Sequence, residues 1–182
     1  AVNAETLRWA RVGDALTLDP HSANEGPTST LLHHIYETLV RRDTDGSLKP
    51  RLATEWFIDP KDPSTWVFKL RPGVKFHNGA DFTAEDVVAS VTRVTSATSY
   101  FKGLHTSVVS ATAADPLTVR IKMKGPSPLY VQNLTNFFIV DKGWIEANNA
   151  LAPQDFKAGE EKYTVRNTNG TGPYTLVSRD PE

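Results

Sequence analysis

The segment Leu70–Val88, LRPGVKFHNGADFTAEDVV, constrains the fold more than any other part of the sequence. The pairs Pro72-Gly73 and Asn78-Gly79 each predict a turn, and Val74–Phe76 between them predicts extended backbone. Thr83 then stands where a helix N-cap is expected, and the acids at 85 and 86 lie in the first turn, where the helix dipole favours negative charge. The segment therefore predicts two turns that lead directly into a helix.

Hydrophobic patterns predict a mixed α and β protein. Thr65–Leu70 and Leu117–Lys124 alternate apolar and polar side chains, as half-buried strands do. The helix after Thr83 has the spacing of a hydrophobic staple between Phe82 and Val87, and its apolar stripe comprises Val87, Val88, Val91 and Val94.

Turn residues and apolar spacing predict the other elements along the chain. They are a strand Thr6–Val12, a loop Leu18–Ser29, a helix through Val40 capped by Thr28 or Ser29, a turn at Asp45-Gly46 with a helical turn or loop after it, a helix Pro128–Leu134, a buried strand Phe137–Val140, a helix after Asp141, a polar loop Ala152–Thr168 and a strand Tyr174–Val177.

Composition excludes several classes of function. Hydrophobic residues make up 39% and charged residues 23% of the 182 positions, as in a folded protein with one domain or two small ones. The net charge of -1 and the lack of a basic block argue against nucleic-acid binding. The sequence has no cysteine, which excludes disulfides and cysteine-ligated zinc. No apolar run reaches the roughly 18 residues of a membrane helix. The chain begins at Ala1 without a leader, so we expect a removed signal peptide or a trimmed chain.

Two groups of polar residues contain residue types found in metal-binding or catalytic sites. His33 and Glu37 are four residues apart on a predicted helix, with His34 beside them, but a metal site needs a third ligand that the sequence does not show. His77 and Asp81 flank a turn and have the residue types of an acid-base pair, but the sequence shows no nucleophile with a base-orienting partner. Ordinary helix surface and a hydrogen-bonded turn histidine are the favoured interpretations.

The glycine-rich stretch NGTGPY at 169–174 is not a phosphate loop. It lacks a following Lys-Ser/Thr pair and leads toward a predicted strand, whereas phosphate loops present backbone amides at a helix N-terminus. We therefore expect a tight crossing at which two backbone segments approach closely.

Four stretches in order along the chain resemble the extracellular solute-binding proteins of family 5, the dipeptide, oligopeptide and nickel class. The resemblance extends over nearly the whole sequence, and these stretches carry it: LDPH (18–21) with HHIYETLVRRDTDGSLKPRLATEW (33–56), LRPGVKFHNGADFTAEDVVASVTR (70–93), DPLTVRIKMKGPSPLY (115–130) and NGTGPYTLVS (169–178).

The resemblance implies a two-lobed periplasmic-binding-protein-like fold of class II, of mixed α+β and α/β character, that closes on its ligand about a hinge. Residues 1–39 and 167–182 would belong to the core of the first lobe, and residues 40–166 to a subdomain inserted in it. The second lobe would follow the GTGPY segment, so we expect an N-terminal part of a longer chain.

The resemblance also implies a function. The protein would be the substrate-binding component of an ABC-type importer, located in the periplasm or otherwise outside the cytoplasm. It would deliver a peptide or related small molecule to permease subunits, and it would meet the membrane only through the transporter or a lipid anchor. No enzymatic activity, cofactor, metal or nucleic-acid partner is implied. The ligand contacts expected in this chain lie in the loop after Ser22 and near one aromatic residue: Ala23, Asn24, Glu25, Gly26 and Tyr100.

Two alternatives remain open from the residues alone. One is a metal- or histidine-dependent hydrolase that uses His33, His34 or His77. The other is a sensory or interaction module built on the same lobe, because a fold does not dictate a function.

Overall fold

The computed structural model of the protein describes residues 8–10 and 13–180. Its helices are α1 (Gly26–Ile35), α2 (Ala84–Thr95), α3 (Lys142–Ala147) and α4 (Tyr163–Arg166), with 3₁₀ helices at Lys102–His105 and Tyr130–Asn136. Its strands are β1 (Val40–Arg42), β2 (Leu48–Pro50), β3 (Ala53–Asp59), β4 (Asp62–Leu70), β5 (Val108–Asp115) and β6 (Thr118–Met123). Most of the predicted strand Thr6–Val12 lies outside the described residues.

A four-stranded antiparallel sheet in the order β3-β4-β6-β5 is the larger part of the fold. Between β4 and β6, Trp66 lies opposite Ile121 and Phe68 opposite Val119, and all four side chains are buried. Helix α2 packs against β5 and β6. The two strands that alternation predicted are therefore confirmed, and their apolar faces meet the helix that the opening segment predicted.

The start of α2 agrees with the sequence. Thr83 is the N-cap, and the carboxylate of Asp86 accepts a hydrogen bond from the Thr83 backbone N–H at 2.8 Å. Phe82 and Val87 are both buried. The other oxygen of Asp86 accepts from the backbone N–H of Lys142 at 2.9 Å, so this acid also fixes the start of α3.

Helix α1 differs from the sequence prediction at both ends. Its N-cap is Glu25, whose Oε1 accepts from the N–H of Thr28 at 2.6 Å, and the cap is neither Thr28 nor Ser29. The helix ends at Ile35, and the residues after it leave the helical conformation and enter β1 at Val40. Their backbone groups bond to distant segments, because Ile139 N–H donates to Glu37 and Leu52 N–H donates to Thr38. Apolar spacing alone did not reveal these partners.

Other predicted elements are corrected in detail. The turn at Asp45-Gly46 is present, but strands β2 and β3 follow it where we expected a helical turn or loop. A 3₁₀ helix at Tyr130–Asn136 replaces the helix predicted from Pro128, and α4 interrupts the polar loop predicted at 152–168. Tyr174–Val177 forms no strand with the described residues.

The segment Phe137–Val140 lies between two apolar clusters. Phe137 and Ile139 belong to the larger cluster of the sheet and α2, whereas Phe138 and Val140 belong to a smaller one with Leu32, Ile35, Tyr36, Ile145 and Ala150. Only a single bridge, from Phe138 to Thr38, gives it strand pairing among the described residues. The strand predicted at Phe137–Val140 is therefore reduced to this bridge, and the segment is buried on both sides, which explains why its sequence is uniformly apolar.

Within the described ranges, the helices are all too short or too polar to cross a membrane.

Replacing Thr83 by alanine should lower the free energy of unfolding by about 1 kcal/mol, because the Thr83 hydroxyl, which donates to Asp86 Oδ2 at 3.1 Å at the start of α2, is lost. The matched control is Thr92→Ala, an exposed position in the middle of the same helix. Urea unfolding followed by circular dichroism measures both. Equal stability of the two variants would contradict the capping role.

Candidate functional site

A buried ion pair lies behind the predicted ligand loop. Two nitrogens of Arg93, on α2, donate to the two carboxylate oxygens of Asp19 at 2.8 and 2.5 Å, and both side chains are fully buried. Burial alone would raise the pKa of Asp19, but the Arg93 charge, its hydrogen bonds and the Thr164 hydroxyl hold that pKa well below the ordinary value. Paired charges of this kind are costly to break, because each would be left in the interior without a counter-charge.

The ion pair has further partners from distant parts of the chain. Arg93 Nε donates to the carbonyl of Ala150 at 2.9 Å. Asp19 accepts from the Thr164 hydroxyl at 2.5 Å and from the Gln154 N–H at 3.2 Å. The pair thus bonds three further segments of the chain, at Ala150, Gln154 and Thr164.

His21 belongs to the same network and is neutral. Its Nε2 donates to the carbonyl of Phe138 at 2.9 Å, so its Nδ1 carries no proton and accepts from Arg93 at 3.0 Å. Burial and the Arg93 charge lower the pKa of His21 to about 3. The LDPH motif therefore has a structural role, and it fixes the backbone from which the ligand loop begins.

The structure brings together the two stretches expected to contact ligand. The backbone N–H of Tyr100 donates to the carbonyl of His21 at 3.0 Å, immediately before the loop 22–27. Beside this contact is a cavity of about 760 Å³, a volume in the range of small-molecule sites. It is lined by Ser22, Ala97, Thr98, Ser99, Tyr100, Lys102, Gly103, Asp155, Phe156, Lys157 and Ala158.

The predicted ligand residues occupy different surroundings. Of the five, only Tyr100 lines the cavity, and this residue is 54% exposed. Ala23 is buried, Asn24 is exposed, and Gly26 is exposed at the first position of α1. Glu25 is half-buried and uses one carboxylate oxygen to cap α1. Sequence reasoning missed Lys102 and the segment 155–158, since only the fold brings them to the cavity.

His77 holds a backbone crossing in place. Its Nε2 donates to the carbonyl of Gly172 at 2.8 Å, and its Nδ1 accepts from the N–H of Gly170 at 3.4 Å. Both ring nitrogens are thus engaged by the backbone, and Asp81 instead pairs with Lys75. The His77–Asp81 pair expected as the acid-base alternative is not formed.

A second polar cluster supports the crossing from the other side. One oxygen of Asp141 accepts from the side-chain amides of Asn78 and Asn169, each at 2.8 Å. The backbone N–H of Asn78 donates in turn to the Asn169 side chain at 3.1 Å. The turn at Asn78-Gly79, the start of α3 and the NGTGPY stretch are therefore tied to one carboxylate.

The glycines of NGTGPY lie against the end of α1. A Cβ on Gly170 would be 2.0 Å from the carbonyl oxygen of Ile35, and one on Gly172 would be 2.6 Å from that of His34. The N–H of Gly172 donates to the Ile35 carbonyl at 2.8 Å. These distances explain the glycines by close backbone approach, as the sequence predicted.

The histidines of α1 contact aromatic rings. His33 packs edge-on against Phe138, and His34 lies between Trp9 and Tyr174. Glu37 pairs with Arg51 at 3.1 Å. No group of three or more metal-ligating side chains is present in residues 8–10 and 13–180.

Comparison with known proteins gives this geometry a family context. The profile of the bacterial extracellular solute-binding proteins, family 5 Middle, matches residues 47–182. The glutathione-binding protein GsiB of Escherichia coli (strain K12) is 32% identical over 165 residues, which are 88% of this chain and 30% of that protein.

Solved structures of the same kind superpose on this fold. The periplasmic binding protein DppA of Helicobacter pylori, in complex with the peptide STSA, gives a TM-score of 0.75 at 26% identity over 92% of this chain and 35% of its own. The protein MoaA of A. tumefaciens R10, in complex with mannopinic acid, gives 0.76 at 32% identity over 92% of this chain and 33% of its own. The chain spans about a third of the length of these relatives.

Replacing Gly170 by alanine should lower the free energy of unfolding by about 3 kcal/mol, at the upper end of overpacking costs, because the added methyl group overlaps the backbone of α1. The control is Gly125→Ala, where nothing lies within 4 Å of the new methyl group. Chemical denaturation measures both. A change below about 0.5 kcal/mol at Gly170, the size expected at an open surface position, would show that the crossing is loose.

Stability should fall as the pH decreases from about 6.5. Burial lowers the pKa of His21 to about 3 and that of His105 to about 4. Below pH 6.5 the unfolded chain binds protons at these residues and the folded chain does not, so stability is complete above that pH and is lost below it. Each histidine contributes a loss of up to about 1.4 kcal/mol per pH unit.

Urea unfolding at pH 7, 6 and 5 tests this dependence. His105→Phe should reduce the slope of stability against pH, because one of the two buried histidines is removed. An unchanged slope in this variant would exclude His105 as a source of the effect.

Proposed function

Since the chain belongs to the bacterial extracellular solute-binding proteins of family 5, we propose that it is part of the substrate-binding component of an ABC-type importer. The solute is a peptide or a related small molecule, captured outside the cytoplasm and delivered to the permease subunits. Membrane contact occurs through that transporter or a lipid anchor. The observation that carries the proposal is the cavity between Ser22 and Tyr100, at the place where the family resemblance puts ligand contacts.

The relatives support the proposed class of solute. The names of similar proteins specify glutathione, a peptide and mannopinic acid as their ligands. A peptide is therefore the first ligand to test. Ala23, Asn24, Glu25, Gly26 and Tyr100 are the ligand contacts that the family resemblance puts in this chain, and Tyr100 supplies an apolar contact in the cavity itself. Glu25 has one carboxylate oxygen beyond its cap and can meet a cationic group of the solute.

We propose a division of the protein that follows the family resemblance. Residues 1–39 and 167–182 belong to the core of the first lobe, and residues 40–166 form the subdomain inserted in it. A second lobe, encoded beyond these residues, closes over the cavity and removes the solute from water. The tight crossing of NGTGPY over α1 supports this arrangement, because it fixes the direction in which the chain continues.

Binding and not catalysis is the proposed activity. His77 and His21 have both ring nitrogens engaged in structural hydrogen bonds, so neither has a free nitrogen with which to accept a proton from a substrate. A hydrolase that uses His77 is accordingly disfavoured. A sensory module would share the same cavity and would differ in its partner.

Calorimetry with trialanine on the longer protein that contains these residues tests the proposal. We expect binding, and a gain in the free energy of unfolding of about 2.7 kcal/mol at a ligand concentration 100 times the Kd. Tyr100→Ala should weaken binding about tenfold, whereas Tyr163→Ala, an exposed tyrosine outside the cavity, should not.

Residues 1–182 alone should bind trialanine at least tenfold more weakly than the longer protein does, because one lobe leaves the peptide in water. No binding of trialanine by the longer protein would overturn the peptide assignment.

A further inference from the structure

The cavity beside Tyr100 has a positive rim. Lys102 and Lys157 line it and are both exposed, and Asp155 is the one acid that lines it. An ammonium group has three N–H donors. Lys102 uses one of them on the carbonyl of Ala97, and no described residue pairs with the Lys157 ammonium. Most of the donors at this rim are thus free to meet a ligand.

The carboxylate of Asp155, the acid that lines the cavity, already accepts a hydrogen bond from its own turn. Asp155 Oδ1 accepts from the N–H of Ala158 at 3.0 Å, and the Asp155 N–H donates to Glu160 Oε2 at 2.9 Å. Glu160 in turn faces Lys162 at 3.6 Å. The carboxylates here therefore shape the segment 155–160, and the unbalanced charge at the rim is positive.

Ser22 supplies an independent observation. It lines the cavity, yet its side chain is only 1% exposed and its hydroxyl has no hydrogen-bond partner among the described residues. A buried hydroxyl without a partner costs free energy, and native structures rarely retain one without a reason. A ligand atom at the cavity wall, met by rotation of the serine side chain, would supply the missing partner.

Aromatic side chains complete the cavity. Tyr100 and Phe156 both line it, and Tyr100 is 54% exposed. A ligand that binds here thus meets an apolar surface together with ammonium groups and a hydroxyl. Few groups combine these requirements as well as a carboxylate attached to an apolar carbon, such as the C-terminus of a peptide.

We propose that this cavity is the subsite for a carboxylate of the solute, held by Lys102 and Lys157 and by the hydroxyl of Ser22. This inference rests on the proposed function and names the chemical group that the site selects. The attraction between these ammonium groups and the solute carboxylate becomes stronger when the second lobe closes, because a charge pair removed from water is screened less.

The test compares trialanine with trialanine amide on the longer protein that contains these residues. Calorimetry is performed on the wild type, on the double variant Lys102→Gln/Lys157→Gln, and on Lys124→Gln, an exposed lysine outside the cavity. We expect the double variant to bind trialanine at least tenfold more weakly than the wild type and to bind the amide within twofold of it. Lys124→Gln should leave both affinities unchanged. The difference between the two ligands isolates the interaction of the lysines with the carboxylate.

Ser22→Ala provides the second variant. It should weaken trialanine binding about threefold or more without lowering the melting temperature, because the hydroxyl has no partner to lose within the described part of the fold. A lower melting temperature with unchanged affinity would assign the hydroxyl a structural role and remove it from the proposed subsite.

The outcomes separate the two proposals. If the wild type binds trialanine and the double variant binds it equally well, the carboxylate subsite is wrong and the binding function stands. The subsite is also wrong if the double variant loses affinity for the amide as much as for the acid. If the wild type binds neither ligand, the peptide-binding function itself is overturned.

Discussion

The ion pair between Arg93 and Asp19 is the interaction on which the candidate site depends. It joins α2 to the LDPH motif, and its remaining hydrogen bonds reach Ala150, Gln154 and Thr164. Charges this deeply buried tolerate only geometry in which every polar atom has a partner, because an unpaired charge in the interior costs several kcal/mol. Segments far apart in sequence are therefore held in one arrangement, and that arrangement forms one side of the cavity.

A second constraint acts through close backbone contact. Gly170 and Gly172 pass so near the end of α1 that a side chain at either position would overlap its carbonyl groups. His77 and Asp141 fix the same crossing through the hydrogen bonds of their side chains. The segment around His77, a histidine among acids, therefore has a structural role: it holds the backbone of the crossing segment in place. Its polar groups position the backbone where the proposed second lobe would continue.

The proposed binding site lies beside the segments that the ion pair holds, and its ligand contacts are residues that take no part in either constraint. Tyr100 and Lys102 follow α2, whose end is fixed by Arg93, while Lys157 follows the segment fixed through Gln154. Rigid support beneath exposed ligand contacts reduces the ordering that binding requires. The buried polar residues therefore determine where the exposed ones lie, although they are not themselves candidates for contact with the solute.

The sequence by itself determined those helices, strands and turns that are stabilised by interactions between neighbouring residues. The cap and staple of α2, the alternation of β6 and the turns at Asp45-Gly46 and Asn78-Gly79 could all be predicted, because neighbouring residues make these interactions. The family resemblance indicated the stretches at Ser22 and Tyr100 as expected ligand contacts.

Tertiary structure decided the rest of the fold and of the candidate site. The helix does not continue past Ile35 because the backbone groups of the next residues bond to Leu52 and Ile139, and Arg93 is buried because Asp19 pairs with it from 74 positions away. Lys157 reaches the cavity only through that same long-range packing, which no local pattern of hydrophobic or capping residues encodes.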